Sequence, residues 1–383
     1  MKLKSRVLGI IAVGIVAVAA VGCKNESPSD TASSQITLDK GTESLPGDKE
    51  DPVLTDDMYL SETTGEPISK KLMNQRPIAV MIDNELTALD HYGTAEADVV
   101  YEMVNSTAND RVTRLMAIYK DWESVPQIGS IRSTRVTNIL LYPEWNAVLC
   151  HDGGPFYVDD YFKQEGTPHI SGEFSRVNNG KPTEFTEYVL DSDYAKVFGR
   201  NISRDYDEYR PADESHFKFA EYGSKVDLSE DYRSAKNAVD IDLSAAFKHN
   251  SSMLKYNEKT QTYDYYEYGD IHVDGEDKEV LTFDNVILQN ADLHELDEHG
   301  YMQYSVGSVD KAVAATGASH VTNGYYITGG KMIEIEWRKT AWFDHTRYYT
   351  KDENGNLKEI TINTGKTYIG LIPSDYWNGI KIK

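Results

Sequence analysis

Three short apolar runs in this 383-residue chain each end in polar groups able to hold a ligand or move a proton. Asp83-Asn84 follows the run 78–82, Glu102 stands near the end of 99–103, and His151-Asp152-Gly153-Gly154 follows 147–150. If those runs are parallel neighbouring strands, the groups meet on one rim, which is where open α/β sheets bind ligands. Gly153 and Gly154 would let backbone amides come close to a ligand. The local alternative is an Asx turn at Asp83-Asn84 and an ordinary turn at Asp152-Gly153. A second group is cationic. Arg132 and Arg135 flank Ser133-Thr134 at the expected start of a helix, and Arg114 follows Thr113 on a neighbouring segment. Helix N-termini favour anions, and guanidinium forks bind carboxylate or phosphate bidentately. These residues point to an acidic ligand group, or else to arginines bracing the fold against Asp83, Asp98 or Glu102.

Catalysis would draw on Asp83, Glu102, His151 and Asp152, as in a hydrolase acting on a glycan or peptide. Such enzymes hold two carboxylates at a set separation, a distance the sequence does not contain. Cys150-His151 makes a poor thiol and base pair, because adjacent strand residues point to opposite faces; a buried thiol is expected. No metal site and no cofactor motif is expected. His294-Glu295-Leu296-Asp297-Glu298-His299 has one residue too many for two zinc-binding histidines four apart. Gly365-Lys366-Thr367 has Ile360 where a phosphate loop needs glycine. Asp352, Asn354 and Asn356 mimic a calcium loop, yet Leu357 and Asn363 occupy the glycine and glutamate positions. All three read as loops or turns.

The elements that must carry these residues fall into two regions. In residues 62–215, the runs 78–82, 99–103, 115–119 and 147–150 read as buried strands, Ser133 or Thr134 caps a helix through 135–141, and 158–162 begins another. Strands mixed with helices give an α/β or α+β domain with a mixed sheet. Residues 216–239 read as a charged connecting segment, with a possible helix over 214–222. Residues 240–383 alternate aromatic and β-branched runs with turn signals such as Asp274-Gly275 and Asn354-Gly355, so this region is mostly antiparallel β. Its tyrosines, Tyr263, Tyr265, Tyr266 and Tyr268 among them, are either strand core or an exposed platform for carbohydrate or protein.

The start of the chain concerns location. Lys2, Lys4 and Arg6 precede an apolar run over 7–21 that is shorter than the roughly 20 residues of a spanning helix. Residues 1–22 therefore read as a signal peptide, and Ala20-Val21-Gly22-Cys23 as the junction at which a lipoprotein cysteine is acylated, although alanine replaces the usual leucine. Two acyl chains on Cys23 would hold the protein to the bilayer where one would not. The expected place is the outer face of the cytoplasmic membrane of a Gram-positive cell. Residues 23–61 follow as a polar, aperiodic, disordered tether. Loss of residues 1–22 would take the formal charge from −23 to −26, which argues against nucleic acid as a partner and leaves the bilayer, an anionic envelope ligand at a local basic spot, or an envelope protein. Acylated Cys23 would leave Cys150 with no disulfide partner.

Several strings together are similar to an uncharacterised family of two-domain lipoproteins, the YerB-like proteins: residues 76–84, 97–102, 112–114, 128–135 and 151–154, with 363–369 near the end. The resemblance spans roughly residues 65–375. It implies an envelope lipoprotein with a β-rich C-terminal part, and no established activity. The leading expectation is a binding module whose N-terminal rim takes an anionic group; a hydrolase and an interaction scaffold are the alternatives.

Overall fold

The computed structural model describes residues 54–198, 202–206, 215–307 and 318–383. Cys23, the signal segment and the tether through residue 53 lie outside the described residues, as does Glu214. None of the described helices is long and apolar enough to cross a membrane.

Runs rich in Ile, Val, Leu and Tyr become strands buried on both faces, the pattern of a sheet covered on each side. The N-terminal region supplies β1 (Ile78–Asp83), β2 (Val99–Val104), β3 (Thr113–Tyr119), helix α1 (Val136–Leu141), β4 (Val148–His151) and β5 (His169–Ser171). There follow β6 (Asp240–Asp242), β7 (Met253–Asn257), β8 (Thr262–Glu267), β9 (Asn285–Ala291), β10 (Asn323–Thr328), β11 (Lys331–Arg338), β12 (Arg347–Lys351), β13 (Leu357–Glu359), β14 (Thr367–Pro373) and β15 (Lys381–Ile382). One sheet runs in the order β13-β12-β11-β10-β9-β14-β2-β3-β1-β4-β5, and Lys236–Asn237 pairs with β11. The two regions thus meet in a single sheet, residues 367–370 of β14 pairing in parallel with 99–102 of β2. Within the C-terminal half the pairing is antiparallel apart from β9 with β14. The N-terminal half is mixed: β2, β3 and β1 are antiparallel in turn, and β1, β4 and β5 are parallel. Consequently β1, β2, β4 and β5 all end at one rim.

Register then decides which side each polar group faces. Arg114 stands opposite both Asp83 and Met103, and Leu115 opposite both Ile82 and Glu102. Since successive side chains alternate across a strand, Asp83 and Arg114 share one face and Glu102 takes the other. Helix α1 covers the first face, its Asn138 amide reaching the Met103 sulfur at 3.2 Å. A smaller sheet of β6, β7, β8 and β15, with Asp270–Ile271 and Thr282–Phe283 paired to β8, covers the second.

Some expectations change. Neither Ser133 nor Thr134 caps α1: the Ser133 hydroxyl donates to the Asp152 carbonyl at 2.7 Å, and the cap is the Asn138 side chain accepting from the Arg135 amide at 2.9 Å. Residues 215–222 form no helix; Phe219 instead bridges to Ile362 beside β13, and a one-turn helix follows at Leu228–Asp231. The stretch expected to be disordered to residue 61 is ordered at its end, where Met58–Leu60 pairs with Pro67–Ser69. Tyr263 and Tyr265 are buried in β8, so cross-strand packing accounts for them better than an exposed platform. Asn354-Gly355 does turn the β12–β13 hairpin, and Asp274-Gly275 turns the chain between the bridged Val273 and Val280, with Asp274 buried and accepting from the Thr94 amide at 2.8 Å.

Candidate functional site

Segment 130–135 crosses the rim where β1 and β4 end. It is held there by backbone bonds: Asp83 N–H donates to the Ser130 carbonyl, Arg132 N–H to Met81, and Asp152 N–H to Arg132. Two guanidinium groups, those of Arg132 and Arg114, are thereby gathered around one buried carboxylate, Asp83. Arg132 Nε donates to Asp83 Oδ2 at 2.5 Å, and its Nη2 to Glu184 at 2.8 Å. Burial works against this guanidinium, but Asp83 and then Glu184 outweigh it and raise its pKa. Arg114 lies 3.8 Å from the same Asp83 oxygen and donates to the Ser133 carbonyl at 2.8 Å.

Arg135 is differently placed. It is only 7% exposed, donates to the adjacent Thr134 carbonyl at 2.8 Å, and lies 3.8 Å above the Tyr301 ring. No carboxylate pairs with it among the described residues, and its Nε has no acceptor; Arg114 Nε has none either. Burial first, and then the Arg114 charge, pushes the Arg135 pKa down to about 9. A buried charge without a partner is costly. Two guanidinium groups thus lie close enough to feel each other's charge, each with a buried Nε that has no acceptor.

The loop beyond β4 flanks the cluster. The Gly153 carbonyl accepts from the Thr134 amide, while the Gly153 amide donates to Ser171 Oγ at 3.0 Å. The Gly153 amide is thus occupied, contrary to expectation. Gly154 is exposed but packed under Val158, and the next aromatic residue, Phe156, is 86% exposed. Tyr157 donates to Asp297 at 2.9 Å, tying this loop to the hairpin that bears Tyr301.

The carboxylates do not converge. Glu102 faces away from Asp83, buried among the hydroxyls of Thr113, Ser252, Tyr265 and Tyr368 at 2.6–3.0 Å. Asn84 projects to that same side, donating to Thr113 Oγ1 at 2.8 Å. Asp152 pairs with Arg176 at 3.2 Å. His151 has both ring nitrogens engaged, with the Gly153 carbonyl at 2.8 Å and His169 at 3.0 Å, and burial lowers its pKa to about 4. Thus Asp83, Glu102, His151 and Asp152 do not assemble as a hydrolytic set. Cys150 is a buried free thiol whose pKa burial pushes up. Two clefts of about 590 Å³ lie elsewhere, one around Phe217 and Phe219 and one around Trp122 and Phe198. Tyr157 and Tyr301 carried no signal in the sequence, because each is recruited by a loop distant from the arginines. Away from the arginines, three buried side chains, His91, Glu267 and His272, bring nitrogen and oxygen atoms within 4.8 Å of one another.

Residues 63–205 match the N-terminal domain, and residues 241–369 the C-terminal domain, of DUF3048, described as a protein of unknown function. The chain belongs to this family. It is 21% identical over 332 residues, 81% of this chain and 85% of the other, to the protein named "Putative lipoprotein YerB" in Bacillus subtilis (strain 168). The crystal structure of YerB from Bacillus subtilis superposes with a TM-score of 0.64 at 20% identity, over 85% of this chain and 99% of that one, so the fold is shared.

Proposed function

We propose that this protein is a lipid-anchored, extracytoplasmic binding module that takes an acidic group at the Arg114 and Arg135 rim. The observation that carries the reading is Arg135: buried, without a carboxylate partner among the described residues, with an unfilled Nε, and close enough to Arg114, whose Nε is also unfilled, to feel its charge. In a chain of net charge −23 this is a local concentration of positive charge. Exposed Phe156, on the loop that flanks the cluster and packed edge-on against Tyr157, suits a ligand with an apolar or sugar face next to its carboxylate, as in a cell-wall peptide fragment. Arg132 serves chiefly as a brace, since buried Asp83 relies on it. The Arg135 side chain is the better probe. Calorimetry with carboxylate-bearing muropeptides should show Arg135→Met binding at least about tenfold more weakly, a difference of roughly 1.4 kcal/mol. Its melting midpoint should hold or rise, because an unpaired buried charge is removed. Equal binding by wild type and Arg135→Met sinks the reading.

The anchor is supported by the order of charge, apolar run and Gly22-Cys23 in the sequence, and by the lipoprotein name of the relative. Cys23→Ala should abolish incorporation of labelled fatty acid and release the protein from the membrane fraction. Labelling equal to wild type would place the anchor elsewhere.

A further inference from the structure

We infer that His91, Glu267 and His272 form a binding site for one divalent transition-metal ion of the zinc type, at the seam between the two family domains. His91 lies in the loop after β1, Glu267 ends β8, and His272 follows the short strand Asp270–Ile271. All three are buried, and their ligand atoms lie within 4.8 Å of one another. Two atoms at about 2.1 Å from one ion stand roughly 3.4 Å apart in tetrahedral geometry. An inward shift of about an ångström would close the set.

The hydrogen bonds around the cluster leave lone pairs facing inward. His91 Nε2 lies 2.6 Å from the Asp83 carbonyl oxygen. A carbonyl only accepts, so the proton sits on Nε2 and Nδ1 is a bare lone pair. That Nδ1 has no hydrogen-bond partner, nor has Glu267 Oε2. Both atoms are acceptors and cannot satisfy each other. On the third ligand, His272 Nε2 lies 2.9 Å from Thr94 Oγ1, and that hydroxyl is 3.0 Å from Asp274 Oδ2. With the hydroxyl proton directed to Asp274, Thr94 accepts from His272 Nε2–H, and Nδ1 lies 2.7 Å from Glu267 Oε1. A contact this short holds either a proton donated by Nδ1 or a metal ion that takes its place. Outer partners that fix the tautomer of each ligating imidazole are a regular feature of metal sites. The donor set of two imidazoles and one carboxylate matches zinc with a fourth position open, and imidazole ligands disfavour magnesium and calcium.

The pattern was not visible in the sequence because position 91 is far from 267 and 272, and the five-residue spacing of the latter two fits no helical motif. The site is independent of the arginine rim, since Asp83 offers His91 its backbone carbonyl and Arg132 its carboxylate.

The test uses untagged full-length protein in detergent, stripped with chelator and then loaded with Zn²⁺ or Co²⁺ by long incubation and by refolding. One equivalent should be retained per chain, and Co²⁺ should give the visible absorption of a four- or five-coordinate nitrogen and oxygen site. His91→Gln and His272→Gln should each weaken retention at least about tenfold, and Zn²⁺ should raise the melting midpoint of the wild type only. The Co²⁺ spectrum needs no variant, so a variant that fails to fold leaves the test intact. Substoichiometric metal with no Co²⁺ absorption after either loading route overturns the site, as does full retention in both histidine variants; either result would leave a water or a proton as the bridge.

Discussion

Glu102→Ala is expected to destabilise the protein by about 3–5 kcal/mol, because the lost carboxylate is the shared partner of four buried hydroxyls, on β3, β8, β14 and the residue before β7, and leaves them unsatisfied. The carboxylate is fully buried, and its pKa is pushed up to about 7 by that burial, against the lowering effect of Ser252, Tyr368 and Thr113. The folded state holds this proton more tightly than the unfolded chain, so this group favours folding most at low pH. Stability is lost as pH rises from about 4.5 towards 7, by roughly 3 kcal/mol in all. Glu102→Gln has no such proton to lose. Urea titrations from pH 4.5 to 7.5 should therefore show the wild type losing its advantage over Glu102→Gln as pH rises. A difference between the two that is flat with pH would mean that Glu102 stays ionised throughout.

Lys339→Ala should have an effect of similar size, about 3–5 kcal/mol, and an opposite pH signature. Glu144, in the N-terminal half, is fully buried and accepts from Lys339 Nζ at 2.6 Å, His216 Nε2 at 2.7 Å and the Thr346 amide at 2.9 Å. Burial alone would raise its pKa, but Lys339 and then His216 outweigh it and hold it well below the usual carboxylate range. A depressed carboxylate contributes stability above its unfolded pKa, which is lost as pH falls below about 4.5. Removing Lys339 leaves the carboxylate buried with less compensation and should flatten the acid limb of the stability curve. Melting curves between pH 3 and 7 would show this; an unchanged acid limb in Lys339→Ala would remove the ion pair from the account.

The strands that place the rim were legible because they are continuous apolar runs with polar ends. Their common direction was stated only as a condition, and β1 with β4 fulfils it. What periodicity does not carry is the side of the sheet. Asp83 and Glu102 both sit at strand ends and look equivalent in sequence, yet the register that sets Arg114 against Asp83 and Leu115 against Glu102 puts them on opposite faces. The arginines illustrate the same gap. Their clustering was readable from local spacing, but only the fold shows that Arg132 is committed to Asp83 while Arg135 is paired with the Tyr301 ring and, among the described residues, with no acid. Nor could the boundary between the two regions, drawn from a change in composition, reveal that hydrogen bonding passes across it unbroken.

That unbroken sheet has a consequence for how the chain must be made. Strand β14 occupies a central position between β9 and β2 although it is the last of the sheet in sequence. A chain emerging N-terminus first exposes the open side of β2 for as long as residues 105–366 take to follow, and exposed strand edges are templates for wrong pairing. Closure then depends on contacts across more than 260 positions, such as Val99 with Thr367, which makes for slow completion. Either family domain expressed alone would present one bare flank of this seam, so the two behave as halves of one cooperative unit whose folding is sealed late.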